Sequence, residues 1–182
     1  MHFRATRIRW LSLVLLMAVT STRTQESPPS EYRVKAAFLL NFAKFVEWPP
    51  EAFTDKASPF IIGVLGQNPF GNDLEQTISG KTVNDRALQI REKVQTITEA
   101  TNCHILFIST SEKKRLPEIF DGLRGTRVLT VGEMDGFTKS GGAINFVMEG
   151  NKIRFEIREE AAKKAGLKIS SKLLSLALRP AP

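Results

Sequence analysis

Few residues of this chain have both the type and the spacing that catalysis or nucleotide binding requires. The nearest match to a phosphate-binding loop is the segment 66–71 (GQNPFG), which has two glycines at the right spacing after an apolar run. Asn72 and Asp73 then stand where such a loop needs lysine and serine or threonine. No lysine neutralises the terminal phosphates there, and the Asp73 carboxylate would repel them. We therefore interpret the segment as a turn, in which Gly71 lets the backbone reverse.

The side chains that could bind a metal or carry out acid–base catalysis are also poorly arranged. His104 directly follows Cys103, the only cysteine, and neighbouring side chains on a strand point to opposite faces. These two residues therefore cannot share one metal ion, which would need about four ligands in a structural site. Glu159 and Glu160 lie on a predicted helix, each with a lysine one turn later, and we interpret them as solvated ion pairs. We predict no metal, no cofactor and no enzyme active site.

The first residues have the pattern of a secretory signal peptide. Three arginines in the first nine residues precede an apolar run, 10–19, whose ten residues are too few for a bilayer span of about 20. We predict export, with cleavage after Thr20 or shortly beyond, so that 1–24 is the signal peptide and the start of a linker. The alternatives are an uncleaved anchor and a buried first helix. Removing the three arginines lowers the formal charge from +7 to +4, which does not favour nucleic-acid binding.

The remaining chain predicts a linker at 25–31 and a single α/β domain at 32–182. Apolar residues recur at helical spacing over 31–48, with Ser30 as the N-cap and Pro49 ending the helix. Strands alternate with short helices after it, which implies a mostly parallel central sheet flanked by helices. Two alternating runs around Gly150–Asn151 add a late antiparallel hairpin. The predicted strands are 60–65, 87–94, 104–109, 127–132, 143–149 and 152–157, and the later helices are 73–79, 111–123, 158–165 and about 171–178.

Three segments are candidates for binding a partner. The stripe Phe38, Phe42, Phe45 and Trp48 on the first helix supports either core packing or a partner-binding or ligand-lining role, with Trp48 favoured for the second. The glycine-flanked loop around Phe137 is a candidate for exposure, and the apolar segment 167–178 is a second candidate surface. The residues predicted to bind a partner are Phe42, Trp48, Phe137, Leu173 and Leu176.

An ordered series of motifs resembles the YfiR family. The most extensive is 34–49 (VKAAFLLNFAKFVEWP) in the first predicted helix. The resemblance covers about residues 32–177, and the order of the motifs makes it specific. The other motifs include 62–66 (IGVLG), 69–71 (PFG), 103–109 (CHILFIS), 128–132 (VLTVG), 154–157 (RFEI) and 169–174 (ISSKLL).

This resemblance implies a non-catalytic periplasmic regulator with a sheet flanked by helices. The family's namesake represses an inner-membrane diguanylate cyclase by binding its periplasmic domain, and an outer-membrane lipoprotein relieves that repression. We therefore expect as partners a membrane-bound diguanylate cyclase or sensor kinase, an outer-membrane lipoprotein and a second copy of this chain, but no nucleic acid. The namesake is dimeric and uses disulfides, whereas Cys103 alone cannot form an intramolecular bridge.

A second hypothesis belongs to a different class of function. The chain could be a periplasmic small-molecule-binding module that feeds a sensor kinase or cyclase. That hypothesis predicts a concave pocket lined by aromatic residues such as Trp48.

Overall fold

The computed structural model describes residues 30–179, so the predicted signal peptide lies outside the described residues. Helix α1 (Glu31–Phe45) begins as predicted, because the Ser30 hydroxyl accepts a hydrogen bond from the amide of Arg33 at 3.1 Å. It ends three residues earlier than predicted. Its last predicted turn is instead strand β1 (Val46–Glu47), which pairs antiparallel with β9 (Lys168–Ile169).

The seven-stranded sheet confirms the predicted fold class. Its strand order is β3-β4-β2-β5-β6-β7-β8. All neighbouring strands from β4 to β7 are parallel, whereas β3 with β4 and β7 with β8 form antiparallel pairs at the two ends. The strands are β2 (Phe60–Leu65), β3 (Thr82–Val83), β4 (Arg86–Val94), β5 (Ile105–Ile108), β6 (Leu129–Gly132), β7 (Ile144–Glu149) and β8 (Lys152–Ile157).

The helices follow the prediction with three differences. Helix α3 (Ile97–Thr101) was not predicted; it has only five residues and depends on a capping box between Thr96 and Glu99. Residues 110–115 form a 3-10 helix, and α4 begins only at Leu116. The reason is Pro117, because proline is tolerated in the first turn of an α-helix but not in its interior. The last helix, α6, ends at Leu176. The remaining helices are α2 (Asp73–Ile78), α4 (Leu116–Gly122), α5 (Glu159–Lys164) and α6 (Ser171–Leu176).

Apolar side chains fill both faces of the sheet. The larger core lies between the sheet and α1, α2, α5 and α6, and a smaller core lies beneath α3 and α4. Cys103 belongs to the smaller core, where burial raises the pKa of its thiol to about 11, and this confirms the predicted buried free thiol. No helix within residues 30–179 is long and apolar enough to cross a membrane.

Candidate functional site

The five residues predicted to bind a partner divide into three buried and two accessible side chains. Phe42 and Phe137 are fully buried, and Leu173 is nearly so. Trp48 is partly buried, whereas Leu176 at the end of α6 is 54 % exposed. A partner can therefore contact Leu176 and one edge of Trp48 directly, while the other three lie beneath the surface.

The exposure expected for Phe137 is wrong. A Cβ atom at Gly132 would lie 2.7 Å from its ring, and one at Gly142 would lie 2.1 Å from it. Phe120 of α4 completes the contact, with 5.6 Å between the ring centroids. The glycines that flank this loop suggested exposure, but Gly142, together with Gly132 at the end of β6, leaves room for the ring to pack into the smaller core.

Trp48, which directly follows β1, contacts the amino-terminal ends of two parallel strands. Its indole Nε1 donates a hydrogen bond to the Arg127 carbonyl at 3.1 Å, just before β6. Its ring meets Phe60, the first residue of β2, edge-on at 4.8 Å. Both contacts fix the indole in place, so its partly exposed edge is presented in one orientation.

Apolar side chains lie along α1, the β7–β8 hairpin and α6, and we call them together the α1–β8–α6 surface. It comprises Phe38, Met148, Ile153, Leu174 and Leu176. Met148 is 55 % exposed and pairs in register with Ile153 of β8. Met148 and Leu176 are the two large apolar side chains of residues 30–179 that are exposed, whereas Phe38, Ile153 and Leu174 are partly buried against the larger core.

Helix α1, strand β8 and the chain just after α6 meet at Phe155. The ring of Phe38 lies 5.3 Å from that of Phe155, and Leu178, just after α6, donates its amide hydrogen to the Phe155 carbonyl at 2.8 Å. Phe42 packs against the same ring at 5.2 Å, so it supports the surface from below. Sequence reasoning missed Met148, although strand alternation places it on the face of Phe146.

A buried ion pair that sequence reasoning also missed joins α1 to the carboxyl-terminal end of β6. Lys35 is only 5 % exposed, and its ammonium lies 2.6 Å from the Glu133 carboxylate and also pairs with Glu31. The Tyr32 hydroxyl donates to Glu133 at 3.3 Å, and its ring lies 4.6 Å from the ammonium. Burial alone would lower the pKa of Lys35, but the hydrogen bonds and charges of Glu133 and Glu31 outweigh it and raise that pKa.

His104 is held by both ring nitrogens. Its Nδ1 accepts the amide hydrogen of Ile61 at 3.0 Å, so Nε2 carries the proton and donates to the Ala52 carbonyl at 3.1 Å. Phe53 and Phe60 both stack against the ring, with centroid distances of 4.4 and 4.8 Å. Burial, assisted by the charge of Arg86, lowers the pKa of His104 to about 4. This is the arrangement of a structural histidine.

The depressed pKa of His104 predicts acid sensitivity. The unfolded chain gains a proton on this ring below a pKa of about 6.5, and the folded chain only near 4, so His104 contributes stability at neutral pH that is lost between these values. We expect a loss of about 2 kcal/mol, allowing for solvent that reaches the ring from a neighbouring cavity. Urea unfolding from pH 7.5 to 4.5 should show this loss in the wild type but not in His104→Asn, which serves as the control for titrating carboxylates. Parallel pH curves for the two proteins would contradict the assignment.

Residues 30–179 contain no group of three or more His, Cys, Asp or Glu side chains placed to hold a metal ion. A sequence model of the YfiR/HmsC-like family matches residues 32–178. A comparison with curated proteins finds no match. The matched range includes the whole sheet, the Lys35–Glu133 pair and every residue of the α1–β8–α6 surface.

Proposed function

Because the chain belongs to the YfiR/HmsC-like family, we propose that it is a non-catalytic periplasmic protein that regulates a membrane-bound diguanylate cyclase. The family match over 32–178 is the observation that carries this proposal. The predicted signal peptide supports export, and burial of the Cys103 thiol shields it from oxidation in such a compartment. The output would be the cellular level of cyclic di-GMP and, through it, biofilm formation.

Regulation of this kind requires a surface and not a reaction centre. We place the contact with the cyclase on the α1–β8–α6 surface, with Leu176 and Met148 as its most exposed apolar side chains. Burying the exposed half of each of these two side chains contributes about 1 kcal/mol, so the pair together changes the affinity by more than tenfold. Trp48 is a further contact, and Phe42 and Leu173 act indirectly by holding the surface from below.

Competition explains how such a regulator is switched. If an outer-membrane lipoprotein covers the same apolar side chains as the cyclase, the two cannot bind one copy of the protein at once. Capture by the lipoprotein would then remove the regulator from the cyclase without any change in its fold. A homodimer that used this surface would compete with both partners in the same way.

Replacing Leu176 by aspartate should abolish capture of the cyclase without unfolding the protein. The side chain is largely exposed, so the free energy of unfolding should change by less than about 0.5 kcal/mol. Binding should weaken at least tenfold, because burial of the exposed half of the side chain, about 1 kcal/mol, is lost and a charged carboxylate must be desolvated in the interface.

The measurement is a pull-down from envelope extract with the exported protein as bait, followed by identification of captured membrane proteins. Gln89→Glu is the matched control, since it adds one negative charge on β4, near the opposite end of the sheet from β8. The proposal requires a diguanylate cyclase captured by the wild type and by Gln89→Glu but not by Leu176→Asp. Equal capture by all three proteins would show that the surface is placed wrongly.

A further inference from the structure

A cavity of about 670 Å3 lies between α4, the loop 138–141 and α5, on a different part of the molecule from Met148 and Leu176. Its volume falls within the range of about 300–1,000 Å3 that small-ligand sites occupy. Phe120, Leu123 and Ala161 supply apolar wall. Phe120 also packs against buried Phe137, so this side of the cavity is backed by the smaller core.

The charges around the cavity are predominantly positive. Asp121 is engaged by Arg124 at 3.0 Å, and the second carboxylate, Glu160, faces two further cations, Arg158 and Lys164. An anion entering the cavity therefore meets an excess of positive charge. The cations that line it are Arg124, Lys139, Arg158 and Lys164.

Arg158 is oriented by the main chain. Its Nη1 donates to the carbonyls of Thr138 at 2.8 Å and Lys139 at 3.3 Å, which fixes the plane of the guanidinium beside the cavity. Within residues 30–179, no side chain or carbonyl accepts a hydrogen bond from its Nε or Nη2. A guanidinium fixed on one side and with donors left on the other is suited to a phosphate or carboxylate.

The ammonium of Lys164 also has donors available for an anion. The sequence predicted two ion pairs on α5, and the pair between Glu159 and Lys163 is formed at 2.9 Å. The equivalent pair between Glu160 and Lys164 is not formed among the described residues, and both of these side chains line the cavity. The ammonium of Lys164 can therefore bind an incoming anion without first breaking an ion pair.

We propose that this cavity binds a small organic anion, in which a phosphate or carboxylate group is attached to an apolar body. Arg158 and Lys164 would bind the anionic group, and the wall formed by Phe120 and Leu123 would contact the apolar body. An adjoining cavity shares Arg158 and Glu160 and reaches Leu174 of α6, so a ligand would lie next to the helix that carries Leu176. The inference goes beyond the proposed function and does not depend on the identity of the protein partner.

The test is an NMR titration of the 15N-labelled exported protein with phenyl phosphate and with phenylacetate. Either anion should shift the amide signals of Gly125, Gly141 and Ala165, which line the cavity, with a dissociation constant of about 1 mM, the scale for a ligand of this size. The tighter of the two identifies the anionic group. Benzyl alcohol, which has the apolar body without the charge, should not shift them.

Lys164→Gln should weaken binding roughly three- to tenfold, because one charge-assisted contact is lost. Lys163→Gln is the matched control and should change the affinity less than about twofold, since its ammonium pairs with Glu159. Arg158 is unsuitable for this test, because its replacement would also release the loop at Thr138. The proposal is overturned if neither anion shifts the three amides, if benzyl alcohol shifts them equally, or if Lys163→Gln weakens binding as much as Lys164→Gln.

Discussion

Replacing Lys35 by methionine should lower the free energy of unfolding by about 3–5 kcal/mol. The substitution keeps the length of the side chain but leaves the Glu133 carboxylate without the ammonium 2.6 Å away. Glu133 is itself largely shielded from water and would retain only the Tyr32 hydroxyl as a donor among the partners described. An uncompensated buried charge is among the most costly defects in a folded protein.

A double-mutant cycle separates the charge from the packing. Glu133→Met alone should be destabilising for the reciprocal reason, and Lys35→Met combined with Glu133→Met should recover most of the loss, because no charge remains buried. Urea unfolding of the exported proteins measures all four corners of the cycle. If the free energy of unfolding of Lys35→Met lies within 1 kcal/mol of that of the wild type, the ion pair does not contribute to stability as its burial implies.

Replacing Phe137 by alanine should also lower the free energy of unfolding by about 3–5 kcal/mol, through a cavity in the smaller core. The ring is fully buried and lies against Gly132 and Gly142. The cavity left by its removal cannot shrink far, because these glycines have no side chain that could move into it. Gly142→Ala should be comparably harmful for the opposite reason, since its new Cβ would lie 2.1 Å from the ring. Urea unfolding again measures both effects.

A milder substitution of Phe137 distinguishes packing in the smaller core from direct contact with a partner. Phe137→Leu keeps an apolar side chain and should cost about 1–2 kcal/mol, leaving the protein folded at room temperature. It should then capture as much cyclase as the wild type, unlike Leu176→Asp. A folded Phe137→Leu protein that captures no cyclase would show that this loop takes part in recognition.

The order and type of the main elements could be predicted because each has its own local signal. The apolar run at 60–65, the alternation at 87–94 and the Gly150–Asn151 turn each determine an element over a few residues. The two-residue strands β1 and β9 could not be predicted, since they exist only through pairing between segments far apart in the sequence. For the same reason, the extension of α1 to Trp48 was wrong: pairing of Val46 with Ile169 replaces its last turn.

The features of the candidate site were harder to predict because they depend on tertiary contacts. Lys35 and Glu133 are 98 residues apart, and nothing local to either residue indicates the other. A glycine-rich sequence around Phe137 fits an exposed loop and a loop that encloses a buried ring equally well, so the sequence does not distinguish them. Leu176 is exposed although Leu173, three residues earlier on the same face of α6, is buried, so helical spacing alone does not predict its exposure.

Cellular cyclic di-GMP is the quantity that tests the central claim most directly. It would be measured in the bacterium that encodes this chain, with the gene deleted and then restored as wild type, Gln89→Glu or Leu176→Asp, at equal periplasmic amounts. A repressor of a diguanylate cyclase predicts a raised level on deletion, which the wild type and Gln89→Glu restore to normal and Leu176→Asp does not. An unchanged level on deletion, or full restoration by Leu176→Asp, would contradict regulation through the α1–β8–α6 surface.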